Sequence, residues 1–271
     1  MNSIKAALSI AGSDSGGGAG IQADLKTFEA HEVFGLTALT AVTAQNSIGV
    51  HKVMPVPVEM VTAQLDALLS DFSIGAAKTG MLFSETIIQH VADKLKGKNI
   101  PLVVDPVMVA SSGDPLLQEE AIVALREVLL PLATVVTPNL HEAALLAEIE
   151  VQTRSQMERA AEIISGFSPD TWVLVKGGHL GDDTASDFLY HSSGYREWIN
   201  TPFIPTSHTH GTGCTLSAAI AARLALGETI PFAVKGAKKY LTGAIRSAWS
   251  GIGKGYGSLR HHHIHYANLS T

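Results

Sequence analysis

Five residues, His210-Gly211-Thr212-Gly213-Cys214, open the alanine-rich run TLSAAIAARLALG. Two glycines and a threonine here turn a loop into a helix whose first backbone N–H groups have no carbonyl partner within the helix. Those donors point forward together with the positive end of the helix dipole, so such a start takes an anion readily. A glycine-rich cap on a buried helix accounts for the same five residues, and the rest of the chain has to separate the two readings. Lys176 ends the apolar run WVLVK. Lysine is rarely buried without a partner, and a phosphate would supply one. Asp105 follows the apolar LVV and precedes Pro106; it serves either as a turn residue or as a ligand of Mg²⁺, directly or through water. Glu142, in TPNLHEA, falls in the first turn of a helix, where an acid also serves as a cap. Gln45 offers an acceptor and two donors in one plane. That suits a ring nitrogen beside an amino group, as when Gln reads adenine, and a solvated loop residue is the alternative.

Other patterns are weaker. SGGGAGIQAD contains a formal dinucleotide fingerprint, Gly18-x-Gly20-x-x-Ala23. A Rossmann site needs an acid about 20 residues further on, and Gln45-Asn46 stands there instead. No P-loop pattern occurs. The glycines suit a lid or a close backbone approach to a small ligand equally well. Asp182 and Asp183 read as turn residues, and His261, His262, His263 and His265 as a solvated tail. His210 reads as a residue that orients its loop. No spacing of His, Cys and carboxylates resembles a zinc site.

The elements that must position these residues alternate strand and helix. Strands are expected at residues 6–11, 35–44, 74–79, 101–105, 133–137 and 172–176, with an extended, proline-bearing edge segment at 50–58 and a hairpin from 187–190 and 196–199. Helices are expected at 21–33, 59–70, 85–95, 118–130, 140–147, 155–165, 212–226 and 231–249. In the second of these Met60, Leu65, Leu68 and Leu69 form the apolar side. The alternation predicts a mostly parallel sheet covered on both faces. Asp14, Gln45, Lys78, Asp105, Asn139 and Lys176 all fall at or just after strand ends, where open α/β sheets bind ligands.

Length and composition agree. With 271 residues, 46% hydrophobic and 16% charged, the chain has ample core material for one domain over 1–271. The net charge of −6, with no basic cluster, argues against a nucleic-acid partner. No apolar run approaches the ~20 residues that span a bilayer. One cysteine makes no internal disulfide, so a cytoplasmic location is expected.

Eight segments, ALSIAGSDSGGGAGIQADLKTF, TAQNS, KTGML, DPVM, SGDPLL, TPNLHEA, VLVKGGH and HGTGC, occur in this order over residues 4–265. Together they resemble the hydroxymethylpyrimidine/phosphomethylpyrimidine kinases of thiamin biosynthesis, in the ribokinase superfamily. The resemblance implies a three-layer αβα sandwich and two successive ATP-dependent phosphorylations, of 4-amino-5-hydroxymethyl-2-methylpyrimidine and then of its monophosphate. It places the pyrimidine against Gly12, Ala19, Thr43, Gln45, Met81 and Val107, with Asp24 a weaker addition. Thr43 stands where some relatives carry valine. Lys176 would meet ATP phosphate, Asn139 and Thr212 would sit beside the nucleotide, and Asp105 and Glu142 would lie near Mg²⁺. Gly211, Thr212, Gly213 and Cys214 would form the anion hole. A homodimer is expected. The ending GKGYGSLRHHHIHY is a looser version of the family's glycine-lysine-glycine close, and no role is carried onto it.

Many sugar kinases of that superfamily end the anion-hole motif in aspartate, the base; this chain has Cys214. A thiol has a pKa near ~8.5, which a helix N-terminus can lower, so a thiolate base is one expectation. Phosphoryl transfer is largely loose, however, and rests on positioning and charge neutralisation. In the second step the attacking phosphate oxygen is already ionised, its second pKa being about 6. Cys214 is therefore expected to matter more for the alcohol. Two other readings stand: a pyridoxal kinase, which would make no diphosphate, and a non-catalytic pyrimidine sensor, which would not turn over ATP.

Overall fold

The computed structural model describes residues 4–108, 119–178 and 184–266. The SGDPLL motif, His179, and Asp182 and Asp183 lie outside the described residues. Nine strands form one sheet: β1 (Ala6–Asp14), β2 (Phe34–Gln45), β3 (Val50–Pro55), β4 (Ile74–Thr79), β5 (Leu102–Val104), β6 (Val135–Val136), β7 (Trp172–Gly177), β8 (Thr184–His191) and β9 (Tyr195–Pro202), in the order β3-β2-β1-β4-β5-β6-β7-β8-β9. The six from β2 to β7 run parallel. β3 at one edge and the β8–β9 hairpin at the other are antiparallel. The mostly parallel sheet expected from the alternation is what forms, and the proline-bearing segment is indeed an edge strand.

Successive strand residues face opposite layers. Leu8, Ile10, Val104 and Val136 pack into one core, against α2 (Val58–Asp71), α3 (Glu85–Leu95), α4 (Glu119–Ala124), α5 (Leu140–Ala147) and α6 (Arg154–Ser165). Ala7, Val103 and Val135 pack into the other, against α1 (Gly20–Ala30), α7 (Thr212–Ala225) and α8 (Ile230–Arg246). The chain is thus a three-layer αβα sandwich. Burying each large aliphatic side chain contributes roughly 1.5–3 kcal/mol. Truncating Leu65 of α2, which is fully buried, costs about 2–5 kcal/mol by this cavity logic.

Three local expectations are corrected. In α2, Met60 is exposed and Val61 takes the core position beside Leu65, because the apolar stripe starts one residue later. The 118–130 helix starts outside the described residues and does not continue as one α-helix. After α4 come a π turn at Leu125–Leu129 and a 3₁₀ turn at Leu130–Leu132. Pro131 explains this: it lacks an N–H and its ring crowds the carbonyl four residues back. His261 is no solvated tail residue. It is buried and its Nε2 lies 3.0 Å from Thr215 Oγ1 of α7, while His263, in α9 (His263–Tyr266), sets its ring against Tyr240. Among the described residues no helix is long and apolar enough to cross a membrane.

Candidate active site

The carboxyl ends of the parallel strands open into a cavity of about 740 Å³. One end is built by β1, β2 and the loop after β1. Asp14, the last residue of β1, folds that glycine loop around itself: its Oδ1 accepts the Gly16 N–H at 2.7 Å, and its Oδ2 accepts those of Gly18 and Ala19 at 3.0 and 2.9 Å. His210 Nε2 joins the same Oδ2 at 2.9 Å, tying the loop before α7 to the loop after β1. Burial opposes ionisation of Asp14, yet His210 and the backbone N–H groups outweigh it and hold the carboxyl below its usual range. Gln45 lies beside this cluster, with Nε2 3.5 Å from His210 Nε2 and Oε1 accepting from Thr43 Oγ1 at 3.2 Å. Gly12, Ala19, Met81 and Val107 line the same cavity.

Across the cavity α7 begins. Gly211 has φ +84°, and a Cβ there would collide with the Gly18 carbonyl, so only glycine closes this corner. No side chain caps the helix. Thr212 N–H bonds back to the Thr209 carbonyl, which leaves the Gly213 and Cys214 amides as uncapped donors at the cavity wall. A Cβ on Gly213 would stand 3.5 Å from Asp105 Oδ2 and 3.6 Å from Lys176 Nζ. The uncapped turn therefore faces the charged cluster directly.

In that cluster Lys176 Nζ lies 3.1 Å from Asp105 Oδ1 and 3.8 Å from Glu142 Oε2. Asp105 also accepts from Ser217 and Thr137 hydroxyls. Burial disfavours its charge, but Lys176 and Lys78 hold it below the usual carboxylate range. Glu142 behaves oppositely. Burial, with Asp105 nearby, pushes it up to about 7 although Lys176 opposes the shift. Burial works against Lys176 as well, and Asp105 and Glu142 more than compensate. The capping reading of Glu142 and its place at the cavity are both true. With Asn139 it forms a reciprocal capping box, Asn139 N–H donating to Oε2 at 2.8 Å and Glu142 N–H to Asn139 Oδ1 at 2.9 Å.

Two expectations change. Asp24 does not line the cavity: it is fully buried beneath the floor, 3.1 Å from Lys78 Nζ, and takes the Ser9 hydroxyl at 2.5 Å. A buried lysine at a strand end needs a counter-charge, and Asp24 supplies it, so this carboxylate is not free to meet a ligand. Cys214 lines the cavity, in surroundings that disfavour its thiolate. Burial, with Asp24 and Asp105 adding, pushes it up to about 11 although Lys78 opposes the shift. Sequence reasoning put Asp14 among the strand-end residues and His210 in its loop but missed that the two pair, and it missed Asp187 and Lys238, paired at 2.6 Å in the cavity wall. Asp187 Oδ1 accepts the Gly177 N–H at 3.1 Å, fixing the strand end that carries Lys176. The strand-end position of Asp14 was the available signal; for Lys238, in mid-helix, there was none.

Fold and site together are those of the ribokinase-like small-molecule kinases. A family model described as phosphomethylpyrimidine kinase matches residues 14–260. A hydroxymethylpyrimidine/phosphomethylpyrimidine kinase of Streptomyces coelicolor is 48% identical over 94% of this chain and 93% of its own length. A Bacillus subtilis pyridoxal kinase, solved as an ADP complex, superposes with a TM-score of 0.89 at 40% identity, over 97% of this chain and 99% of that one. A phosphomethylpyrimidine kinase from Clostridium difficile 630 gives 0.79 at 42% identity, over 89% and 99%. The chain belongs to the phosphomethylpyrimidine kinase family.

Proposed function

We propose that this chain is an ATP-dependent kinase that phosphorylates 4-amino-5-hydroxymethyl-2-methylpyrimidine and then its monophosphate, giving the diphosphate for thiamin biosynthesis. The observation that carries this reading is the uncapped Gly211–Cys214 turn facing Lys176, Asp105 and Glu142 across one cavity. A phosphoryl group between them would meet backbone N–H donors on one side and an ammonium on the other, the arrangement that stabilises charge in transfer. Gln45 presents its amide to the aminopyrimidine edge, with Gly12, Ala19, Thr43, Met81 and Val107 around the ring. Asn139 and Thr212 lie beside the nucleotide phosphates. ATP as the donor is supported by neighbours solved with ADP and AMP-PCP.

Asp105 and Glu142 fit Mg²⁺: two buried carboxylates share one ammonium, which leaves negative charge and hard oxygen donors at the cavity. The ion would neutralise phosphate charge there. Lys176 orients both carboxylates and adds its own charge. Cys214 and the Asp14–His210 pair line the cavity beside this cluster. With its thiol pushed up to about 11, Cys214 acts in the free enzyme as a neutral wall group rather than a base. A homodimer in the cytoplasm completes the reading, the single cysteine fitting a reducing compartment.

Pyridoxal is the second acceptor to test, because several solved neighbours are pyridoxal kinases of TM-score near 0.9. A coupled kinase assay with the pyrimidine alcohol, its monophosphate and pyridoxal side by side decides. Diphosphate from the pyrimidine is expected; turnover of pyridoxal alone would overturn the proposal.

A further inference from the structure

Residues 251–258 (GIGKGYGS) cross one end of the cavity without regular helix or strand. They are nevertheless fixed. Ser47, in the turn after β2, accepts the Lys254 and Gly255 N–H groups on Oγ, each at 3.1 Å, and its carbonyl accepts the Tyr256 N–H at 2.9 Å. Gly257 N–H donates to His208 Nδ1 at 3.1 Å, and Ser258 bridges to His210. A Cβ at Gly253 or Gly255 would run into Ser47, and one at Gly257 into the His208 ring. The glycines are what let this strap lie so close to the turn that follows Gln45 and to the loop that carries His210.

Most of the strap is exposed and buries little, so its ordering serves something other than the core. Tyr256 lines the cavity with 45% of its surface open. Among the described residues its ring stacks on no other aromatic and its hydroxyl has no hydrogen-bond partner. An aromatic face left open at a cavity mouth is a stacking platform for a flat ligand. Gln45, two residues before Ser47, can grip only the edge of such a ring.

On the pyrimidine-kinase reading above, we propose that residues 251–258 form the outer wall of the acceptor subsite, with Tyr256 a specificity-determining residue that meets the face of the heteroaromatic acceptor and Ser47 a positioning residue that holds it there. Edge recognition by Gln45 and face recognition by Tyr256 together select a flat nitrogen heterocycle over a sugar.

Calorimetric binding of the pyrimidine alcohol and, separately, of ADP tests this on the full chain. Tyr256→Ala should weaken pyrimidine binding roughly tenfold, the range of an aromatic stacking contact, and leave ADP binding within about twofold. Tyr256→Phe should bind as the parent does. Ser47→Ala should weaken the same ligand, and the double variant should be no worse than Tyr256→Ala alone, since Ser47 acts through Tyr256. Unchanged pyrimidine binding in Tyr256→Ala, equal weakening of ADP, or additive losses in the double variant would each overturn the proposal, as would a parent protein that does not bind the pyrimidine. A parent that binds it without phosphorylating it would leave the strap's role standing and remove the kinase reading.

Discussion

Lys176 Nζ stands 3.1 Å from Asp105 Oδ1, and the pair reaches across the sheet from β7 to the end of β5. Glu142 completes a cluster in which two carboxylates share one ammonium at a wall of the cavity. Lys176→Ala is therefore expected to depress both phosphorylation steps by 10²-fold or more in kcat, the scale of losing one preorganised charge donor. It should also lower stability by about 3–5 kcal/mol, because two buried carboxylates lose their partner. Steady-state kinetics with each acceptor, beside urea unfolding, checks both. A loss confined to one step would contradict a shared role.

Cys214 offers a direct readout, being the only cysteine in the chain. With burial pushing its thiol up to about 11, it is protonated from pH 7 to 9, where a free thiol is already ionising. Alkylation by iodoacetamide should stay slow until the pH approaches the raised value. As a neutral wall group that serves both transfers, Cys214 is expected to matter equally to them. Cys214→Ala should therefore slow the alcohol and monophosphate steps to a similar extent, and a loss confined to the alcohol step would overturn this reading. Equal losses would exclude a thiol role in deprotonation.

The Lys78–Asp24 pair beneath the floor is fully buried on both sides, at 3.1 Å. Asp24→Asn strands a buried ammonium and should cost about 3–5 kcal/mol. The double change Lys78→Met with Asp24→Leu should cost less, since it removes both charges. Denaturant midpoints at constant m-value test the order; a double variant weaker than the single would contradict it.

His261 links stability to pH. Its usual value is 6.5, and burial first, then nearby Lys26, lowers it to about 4 in the folded chain. As pH falls, the unfolded chain takes up this proton first. The stability tied to neutral His261 is thus full above pH 6.5 and is lost between 6.5 and about 4, by at most ~3 kcal/mol. Urea midpoints over that window should fall more steeply for the parent than for His261→Gln. Parallel profiles would show that His261 does not carry the effect.

Much of the fold was legible because it rests on local patterns. Ile74–Thr79, Glu85–Leu95 and Leu140–Ala147 form as the sequence pattern predicts, with apolar periodicity and N-terminal caps such as Ser84 and Asn139 marking them. Met60 and the Pro131 turn were misread because a one-residue shift of an apolar stripe, or a π turn, leaves little trace in composition. The site residues at strand ends were legible for the same reason that the sheet was: parallel strands deliver their last residues to one edge.

The sequence by itself determined that the strand-end groups would gather at one edge of a mostly parallel sheet, since the strand–helix alternation and the His210–Cys214 turn follow from local pattern and backbone sterics. What only the tertiary structure decided was the state of those groups and their partners. Asp24 and Lys78 are 54 residues apart and neutralise each other in the floor. Cys214 sits above them as a protonated thiol. Ser47 and Gly255, 208 residues apart, close the strap. Proton affinity and charge pairing depend on burial and on neighbours remote in the chain, and neither is written in any local stretch.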